Sequence, residues 1–571
     1  MKILLATLHS KYVHASLSLP YLAAACAPLG LSIEIRECTL HEPHDHVLAA
    51  LVAAEADVIA FSCYIWNMEP ILRLAGDLKK IQPETLIVLG GPEASFGTFE
   101  LLERHPAVDC VIRGEGEETF VELLAVAVDR PGTLLDVPGK LAEGVTFREG
   151  EKIVALPDRK PIADLDSIPS PFAAGFADLD KPLVYYETSR GCPFSCAFCM
   201  SSLEKGVRSF SNARIEQDLL LLMEREVGTV KLVDRTFNYD AARANRIWSF
   251  ILRHNRRSTF HFEIAADLLT EDNIALIATV PAGMFRFEIG VQSENEATLA
   301  RVGRVSHLPR LLANVERLRT ETGVVLHLDL VAGLPHEEYA GFLESLQALL
   351  QARPHHIQVE PLKVLKGSPM RRIARDEGYA FSDHAPYKIL QSPWLSFAQV
   401  TRIETIARLV DLYYNSGRFT AVLGAVAERK GLSRFLAEFA GFWEGEHAGS
   451  SLSLIELFER LHRFLLSTEP PEVAERLTEA LCFDYCRCEY PVPGRLPSFF
   501  PADAASGPAE RVNHKDIAKE NEIPPGSRVR TFSALFRSDH RLAPAGPGPV
   551  RLRFLYISTA GKKMEVRVLQ S

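Results

Sequence analysis

Three cysteines in one short stretch carry the clearest chemical signal in this chain of 571 residues. Cys192, Cys196 and Cys199 follow one another with the spacing Cys-x3-Cys-x2-Cys. Such a set can hold three irons of a four-iron, four-sulfur (4Fe-4S) cluster, which leaves the fourth iron without a protein thiolate. A zinc site would need a fourth ligand at similar spacing, and the flanking residues offer none. The spacing therefore predicts a cluster with one iron open to a small molecule.

The segment around these cysteines resembles the signature of the radical S-adenosylmethionine (SAM) enzymes, including an aromatic residue, Phe198, just before the last cysteine. The resemblance implies that the methionine part of SAM chelates the open iron. It also implies that reduction of the cluster cleaves SAM to a 5′-deoxyadenosyl radical. A flavodoxin or ferredoxin is then the expected type of reductant, and Phe198 is expected beside SAM.

Residues 182–395 alternate short apolar segments with helical patterns, which predicts six parallel strands in βα order. The radical SAM resemblance implies that these strands form a partial (βα)6 TIM-like barrel. Chemistry in βα-barrels gathers at the carboxyl ends of the strands. The residues predicted to bind SAM follow successive strands of this domain: Asp234, Asp267, Glu288, Gln292 and Gly333.

Two of these assignments have a purely structural alternative or depart from the family pattern. Glu288 could simply pair with Arg286 on the same strand. Many relatives carry a Gly-Gly-Glu clamp for the methionine amine after the second strand, and this chain has Asp234 and Asn238 there without the glycines.

Residues 1–140 also alternate strand and helix patterns, which predicts a doubly wound, Rossmann-like parallel sheet. Ligands of such sheets bind beyond the carboxyl ends of the strands. A dinucleotide site is not indicated, because no Gly-x-Gly-x-x-Gly follows the first strand. The loops after the strands resemble those of cobalamin-binding domains, and the residues expected to bind cobalamin are Tyr12, Ser62, Tyr64, Trp66, Asn67, Gly90, Gly91, Pro92, Glu93, Gly114, Glu115, Gly116 and Glu117.

One motif of many cobalamin domains is absent from the sequence. Domains that ligate cobalt through histidine carry Asp-x-His-x-x-Gly, which this chain lacks. His9 and His14 lie near the end of the first predicted strand and are interpreted as polar loop residues. The resemblance therefore implies a cobalt without a histidine ligand on its lower face.

The remaining segments are predicted to connect and extend these two domains. Prolines in residues 141–181 indicate an irregular linker. Residues 396–571 form a C-terminal accessory domain, mainly helical, followed by a loop and a β-hairpin around Thr559-Ala560-Gly561. The whole chain resembles a cobalamin-dependent subgroup of radical SAM enzymes whose tail has no assigned function.

Two features of the C-terminal region invite functional interpretations that the sequence does not favour. Cys482, Cys486 and Cys488 lack an evident fourth metal ligand and are interpreted as ordinary thiols. Lys562 and Lys563 could contact nucleic acid, but a capping hairpin explains them more simply.

Composition limits the class of partner and the location. The chain is 47% hydrophobic and carries 63 basic against 73 acidic residues, a formal charge of −10. This balance argues against a general nucleic-acid or anionic-membrane surface. The sequence has no apolar run of the ~20 residues that a membrane span needs. Ten cysteines without a secretory signal predict a cytoplasmic protein.

The expected activity is cobalamin-dependent radical SAM chemistry, with methylation of an unactivated carbon of a small-molecule or metabolite substrate that the sequence does not identify. The layout also occurs in radical cyclases such as the anaerobic Mg-protoporphyrin monomethyl ester cyclase, which is the main alternative. A methylthiotransferase is disfavoured because Cys26, Cys38, Cys63 and Cys110 lack the pattern of its extra cluster. A cobalamin-binding sensor would leave the cysteine loop without a role.

Overall fold

The computed structural model describes residues 1–129, 143–446, 452–492, 496–500, 523–524, 526–542, 544–559, 561 and 564–570. These residues form two compact units, one of Met1–Glu338 with Pro361–Ser396 and one of Tyr339–Glu360 with Phe397–Ser571. Among the described helices, none combines the length and hydropathy needed to cross a bilayer.

The first unit begins with a seven-stranded sheet of order 2-1-3-4-5-6-7. Its first five strands are parallel, and the last two are added antiparallel. The strands are β1 Lys2–His9, β2 Ser32–Thr39, β3 Val58–Ser62, β4 Leu86–Gly90, β5 Cys110–Ile112, β6 Val145–Glu149 and β7 Lys152–Ala155. The helices are α1 Ser18–Cys26, α2 His44–Val52, α3 Met68–Ile81, α4 Thr98–Arg104 and α5 Glu117–Asp129.

Both faces of this sheet are covered by apolar packing. Leu4 and Leu5, neighbours on β1, are each fully buried but belong to different core clusters on opposite sides of the sheet. Strands buried on both faces read as continuous apolar runs, and β1, β3 and β4 have that character. The doubly wound sheet predicted for this region is confirmed.

The region predicted to be an irregular linker is only partly irregular. Within residues 143–181, β6 and β7 form an antiparallel hairpin that extends the first sheet beyond β5. Val145 and Phe147 of β6 are buried in the core of that sheet. The prolines misled the prediction because they lie after the hairpin, from Pro157 onward, and not within it.

The barrel strands of the first unit are parallel neighbours in the order β14-β13-β12-β11-β8. Their bounds are β8 Leu183–Tyr186, β11 Thr229–Leu232, β12 Thr259–Ile264, β13 Phe285–Gln292 and β14 Val325–Ala332. A separate antiparallel pair holds the cysteine region, β9 Ser189–Cys192 and β10 Gly206–Ser209. The helices are α6 Asn212–Glu224, α7 Ala241–His254, α8 Glu271–Ile277, α9 Glu296–Arg301 and α10 Leu308–Glu321.

The βα alternation continues along the chain into a sixth strand. Helix α11, Tyr339–Ala352, and strand β15, His356–Pro361, fall mainly in the second unit. The chain then returns to the first unit with α12 Met370–Asp376 and a small pair, β16 Ala380–Phe381 and β17 Ile389–Gln391. The predicted βα order is confirmed, whereas the predicted boundary at residue 395 omits that α11 packs with the C-terminal unit.

The second unit is helical and ends in a small sheet. Its remaining helices are α13 Phe397–Leu409, α14 Thr420–Ala427, α15 Leu432–Gly445, α16 Leu454–Thr468 and α17 Pro471–Cys488, with a π-helical turn at Val410–Asn415. The sheet is antiparallel, with β18 Arg528–Phe536, β19 Val550–Ser558 and β20 Glu565–Gln570. The predicted hairpin is thus part of a three-stranded sheet, and Ala560, Lys562 and Lys563 lie outside the described residues.

The second unit has an aromatic core and buried thiols. Phe439 packs against Tyr413 and Phe464, with ring centroids 5.1 and 4.7 Å apart. Cys482 and Cys486 are buried one turn apart on α17, and the Cys482 thiol donates to Phe499 O. Cys488 contacts Arg418 O, so these cysteines have ordinary packing and hydrogen-bond environments.

Candidate functional site

The cysteine loop is held by backbone contacts on both sides. It leaves β9 at Cys192, where Gly191 has φ +89° and a Cβ would lie 2.3 Å from Gly206 O, so only glycine fits. The Ala197 amide donates to Val302 O at 2.7 Å, and Ala197 O accepts from Met370 N at 2.9 Å. The loop is therefore fixed before any cofactor binds.

The three thiols converge on one small cavity. Cys192, Cys196 and Cys199 are all free and all line a space of about 150 Å³, together with Phe198. Cys196 is 5% exposed, and burial raises the pKa of its thiol while nearby Arg304 opposes that rise. Three thiols on one cavity fit a cluster with three protein ligands.

Arg304 was not foreseen from the sequence. Its Nη1 lies 3.9 Å from Cys196 Sγ and its Nη2 donates to Gly290 O at 2.7 Å. The guanidinium also lies over the ring of Phe194. Arg304 follows α9 in a loop without a recognisable pattern, so only the fold brings this cation to the cysteines.

Two of the residues predicted to bind SAM line the same cavity as the cysteines. Glu288 and Gln292, from the end of β13, both contribute to its wall. Gln292 has φ +71°, a left-handed conformation that is rare outside glycine, at a register shift in the strand pair. The fold thus places Glu288 and Gln292 on the wall of the cavity that the thiols also line.

Glu288 belongs to a charged network rather than pairing with Arg286. Its Oε2 lies 2.9 Å from Lys231 Nζ and 2.9 Å from His261 Nε2. Burial alone would raise the pKa of Glu288, but His261 and Lys231 together hold it well below its usual range. The Lys231 pKa is raised, because the attraction of Glu288 exceeds the effect of burial.

Three other predicted SAM contacts line neither this cavity nor the larger one described below. Asp234 is fully buried, and its carboxylate accepts from Thr188 N at 3.0 Å and Ser189 Oγ at 2.6 Å. Asp267 accepts from His307 N at 2.9 Å. Gly333 has φ +89° and a Cβ there would meet the Ile389 side chain. All three residues therefore support the backbone near the site.

A second, larger cavity of about 960 Å³ opens at the carboxyl edge of the first sheet. The predicted cobalamin-binding residues that line it are Ser62, Tyr64, Trp66, Gly90, Gly91, Pro92, Gly114, Glu115, Gly116 and Glu117. Tyr64 and Trp66 stack with centroids 4.5 Å apart and planes within 3°. A flat aromatic pair beside two glycine turns fits a large planar ligand such as a corrin.

Three predicted cobalamin contacts do not line this cavity. Tyr12 is 72% exposed and lies under the Lys181 ammonium. Asn67 is fully buried and ties its loop to β1, donating to Leu8 O and accepting from Tyr64 N at 2.7 Å. Glu93 is also buried, 2.8 Å from Lys366 Nζ and bonded to the Tyr387 hydroxyl.

The two histidines near the first strand have protein partners. His14 Nδ1 lies 2.8 Å from the Tyr185 hydroxyl of β8. Burial lowers the His14 pKa, with help from His9 and Lys11, and so favours the neutral ring. His9 Nε2 lies 3.2 Å from Glu37 Oε2.

A buried cluster of charge joins the glycine turn of the first sheet to the cysteine loop. Arg190, two residues before Cys192, lies 2.9 Å from Glu115, 2.5 Å from Glu117 and 2.8 Å from Glu187. Burial raises the pKa of Glu187, although Arg190 opposes this. We name Arg190 and these three carboxylates the junction cluster.

The larger cavity and the cavity of the thiols adjoin each other. Ser201 and Arg235 line both of them. The loops of the first sheet and the thiols of the cysteine loop therefore face neighbouring spaces within one compact unit.

Comparison with known protein families agrees with this arrangement. Residues 3–124 match the B12 binding domain, and residues 186–349 match the Radical SAM superfamily. The chain therefore carries a B12-binding domain followed by a radical SAM domain, as the sequence predicted. Residues 376–533 match DUF4080, a family of proteins of unknown function.

Individual curated proteins are similar to about half of this chain. The cobalamin-dependent radical SAM methyltransferase TokK of Streptomyces tokunonensis is 28% identical over 57% of this chain and 49% of its own length. The anaerobic magnesium-protoporphyrin IX monomethyl ester cyclase of Synechocystis is 26% identical over 50% of this chain and 58% of its own. The chain thus spans about half the length of these curated relatives.

Among solved structures, the cobalamin-dependent SAM radical enzyme OxsB superposes with a TM-score of 0.59. The match covers 85% of this chain and 78% of that one, at 15% identity. At this identity the likeness establishes the fold.

Proposed function

We propose that this protein is a cobalamin-dependent radical SAM enzyme that methylates an unactivated carbon of its substrate. The observation that supports this most is the adjoining pair of cavities, which share Ser201 and Arg235. A radical generator and a methyl donor must reach the same carbon atom, so their sites have to lie next to each other.

Each cavity has residues suited to one cofactor. Cys192, Cys196 and Cys199 would hold the 4Fe-4S cluster, with Phe198, Glu288 and Gln292 around SAM. The Tyr64–Trp66 pair and the glycine turns at 90–93 and 114–117 would hold cobalamin. When bound, the cluster supplies the electron that cleaves SAM to a 5′-deoxyadenosyl radical, and cobalamin supplies the methyl group.

The protein's own contribution is position and shielding. The junction cluster fixes the base of the cysteine loop against the turn at 114–117, through charge-assisted contacts of 2.5 to 2.9 Å. Arg304 adds a cation within 3.9 Å of Cys196 Sγ, which stabilises negative charge on the thiolates. The junction cluster thus positions the cysteine loop against the first sheet, and Arg304 acts within the cavity of the thiols.

A radical cyclase is the second candidate, because the cyclase relative matches nearly as much of the chain as the methyltransferase does. The two activities differ in product. A methyl group transferred from isotopically labelled SAM indicates the first, and an unlabelled product with a new ring indicates the second.

The proposed setting follows from this chemistry. An external low-potential donor of the flavodoxin or ferredoxin type would reduce the cluster. We place the enzyme in the cytoplasm, where thiols stay reduced. With a formal charge of −10, a metabolite is a better candidate substrate than a nucleic acid.

Replacing a cluster ligand tests the proposal. In the anaerobically reconstituted chain, we expect Cys196→Ala to lose the iron–sulfur absorption and the formation of 5′-deoxyadenosine from SAM. Cys488→Ala, at a partly exposed cysteine outside this cavity, should keep both. Full iron content and full SAM cleavage in Cys196→Ala would contradict the cluster assignment, and failure of the parent to bind hydroxocobalamin would contradict the cobalamin assignment.

A further inference from the structure

The inner face of the barrel sheet is polar where barrels are usually apolar. On β12, β13 and β14 one set of alternating residues is fully or almost fully buried and includes Phe262, Phe287 and Leu328. Phe262 and Phe287 pack on Trp248 of α7, which identifies this face as the helix side. The intervening residues therefore face the barrel interior, and they are Lys231, His261, Glu263, Glu288, His327 and Asp329.

Three of these interior side chains come together from three neighbouring strands. His261, Glu288 and His327 each offer one ligand atom, and these atoms lie within 4.8 Å of one another. His261 Nε2 is 2.9 Å from Glu288 Oε2. Asp329 adds an oxygen 3.2 Å from His327 Nε2.

We propose that His261, Glu288 and His327 bind a divalent first-row transition-metal ion such as Zn²⁺ or Fe²⁺. Imidazole and carboxylate are the ligands that these ions prefer, and two histidines with one carboxylate form a recurrent metal site. Ligand atoms about 2.0–2.2 Å from a common ion lie about 3–4 Å from one another. His261 Nε2 and Glu288 Oε2 are already 2.9 Å apart, and the three atoms, all within 4.8 Å of one another, need only a small side-chain shift to enclose an ion.

The charges around this triad also favour a cation. Glu288, Asp329 and Glu263 bring three carboxyl groups to the inner face, and Lys231 brings one ammonium, 2.9 Å from Glu288 Oε2. Arg235, which lines the same cavity as Glu263, adds a second cation. The three carboxyl groups still outnumber these two cations, which leaves room for a further positive charge. The ammonium competes with the ion for Glu288 Oε2, so Lys231 tunes the affinity of the site.

This site is separate from the cluster but faces the same cavity. Glu288 and Asp329 line the space that the three cysteines also line. An ion held by three protein ligands keeps open coordination positions, which could take an oxygen or nitrogen of a molecule in that cavity. Glu288 is also placed beside SAM in the proposed function. Zinc binding requires neither the cluster nor cobalamin, so zinc content and SAM cleavage test the two proposals separately.

Metal content of the full-length, cluster-loaded protein tests the site. After treatment with Zn²⁺ under anaerobic conditions and desalting, we expect about one zinc per chain in addition to the cluster iron. His261→Ala and His327→Gln should each weaken zinc binding by at least about tenfold while leaving the iron content unchanged. His254→Ala, at an exposed histidine of α7, is the matched control and should keep the zinc.

Lys231→Met separates a metal site from a purely structural ion-pair network. If the triad binds metal, removing the competing ammonium should retain or tighten zinc binding. Loss of binding in Lys231→Met, unchanged zinc content in a His261→Ala, His327→Gln double variant, or no zinc on the folded parent would each overturn the proposal. With Co²⁺ as the probe, sulfur-to-cobalt charge-transfer absorption would also overturn it, since it would place the ion on thiols.

Discussion

The two sheets of the first unit bury opposite kinds of surface. The N-terminal sheet is apolar on both faces, so its strands serve packing and its polar groups lie in the loops at their carboxyl ends. The barrel sheet is apolar only toward its helices, and its inner face carries Lys231, His261 and Glu288. Chemistry is therefore confined to loops in the first sheet and reaches into the strands of the second.

Because of this difference, substitutions in the two sheets should affect stability and function differently. In the N-terminal sheet, strand residues such as Ala60, Phe61 and Val88 also border the large cavity, but with apolar side chains. In the barrel, every second strand residue faces the site. A polar residue of the barrel's inner face can thus be replaced at little cost in folding while function is lost, whereas truncation of a buried apolar residue of the N-terminal strands destabilises the fold.

The largest effect is expected where the two sheets meet. Arg190→Met leaves Glu117 and Glu187 buried without this cation, while Glu115 keeps Arg208 at 3.0 Å. Breaking a buried ion pair costs about 3–5 kcal/mol. Urea denaturation followed by circular dichroism measures the change. Iron content after reconstitution should fall too, because the cysteine loop begins two residues later.

The control is Arg246→Met, which removes an exposed pair with Glu216 at 3.0 Å and should cost about 0–1 kcal/mol. Equal costs for the two arginines would show that the junction cluster does not hold the domains together.

The next largest losses of stability are expected from buried apolar residues in both sheets, and they test how the two sheets differ. Leu4→Ala and Leu5→Ala, adjacent and both fully buried, should each cost about 2–5 kcal/mol. In the barrel, Phe262→Ala should cost about 3–5 kcal/mol. Its neighbour Glu263→Gln should change stability by less than about 1 kcal/mol, since it keeps the shape and removes a buried charge. Thermal unfolding of the four variants gives the comparison, and a large loss for Glu263→Gln would contradict the polar inner face.

Most strands could be predicted because they appear in the sequence as short apolar runs. The short apolar runs Val58–Ser62 and Cys110–Ile112 each form a fully buried strand. Apolar runs of this length favour a buried strand because they are too short for a typical helix. By contrast, β18 was missed because Arg528, Arg530 and Thr531 make it look polar, and its partner strand comes later in the chain.

Site residues could be predicted where one cofactor dictates their spacing in the sequence. They could not be predicted where only the fold brings them together. The three cysteines could be identified because one cluster dictates their separation. Arg304 and the triad of His261, Glu288 and His327 are brought together from separate elements, and no short motif marks them. Glu93 and Asn67 were expected to contact a ligand, but each is buried among protein partners, which a loop sequence cannot reveal.

A smaller effect is expected from the glycine turns that border the large cavity. Gly91 has φ +99°, and a Cβ there would lie 2.6 Å from Cys63 O, against backbone that cannot move freely. Gly91→Ala should therefore cost about 1–3 kcal/mol and weaken hydroxocobalamin binding.

Gly76→Ala in α3 is its control, since nothing lies within 4 Å of the new methyl group. In a helix interior this change should stabilise by about 0.5–1 kcal/mol. Equal destabilisation by both changes would show that the backbone conformation of Gly91 does not specifically require glycine.

The smallest effect concerns the exposed aromatic pair of the same cavity. Trp66 is 45% exposed, and its Nε1 donates to Leu8 O at 3.2 Å. Trp66→Phe keeps a ring to stack on Tyr64 and loses this bond, a change of about 0.5–1.5 kcal/mol in stability. Trp66→Ala also loses the stack, worth about a further 0.5–1.5 kcal/mol. Titration with hydroxocobalamin should rank the affinities wild type, Trp66→Phe, Trp66→Ala. If Trp66→Ala binds hydroxocobalamin as tightly as the wild type, this loop does not contribute to cobalamin binding. The proposed contrast, with ligand-binding groups in the loops of the first sheet and in the strands of the second, would then lack support from Trp66.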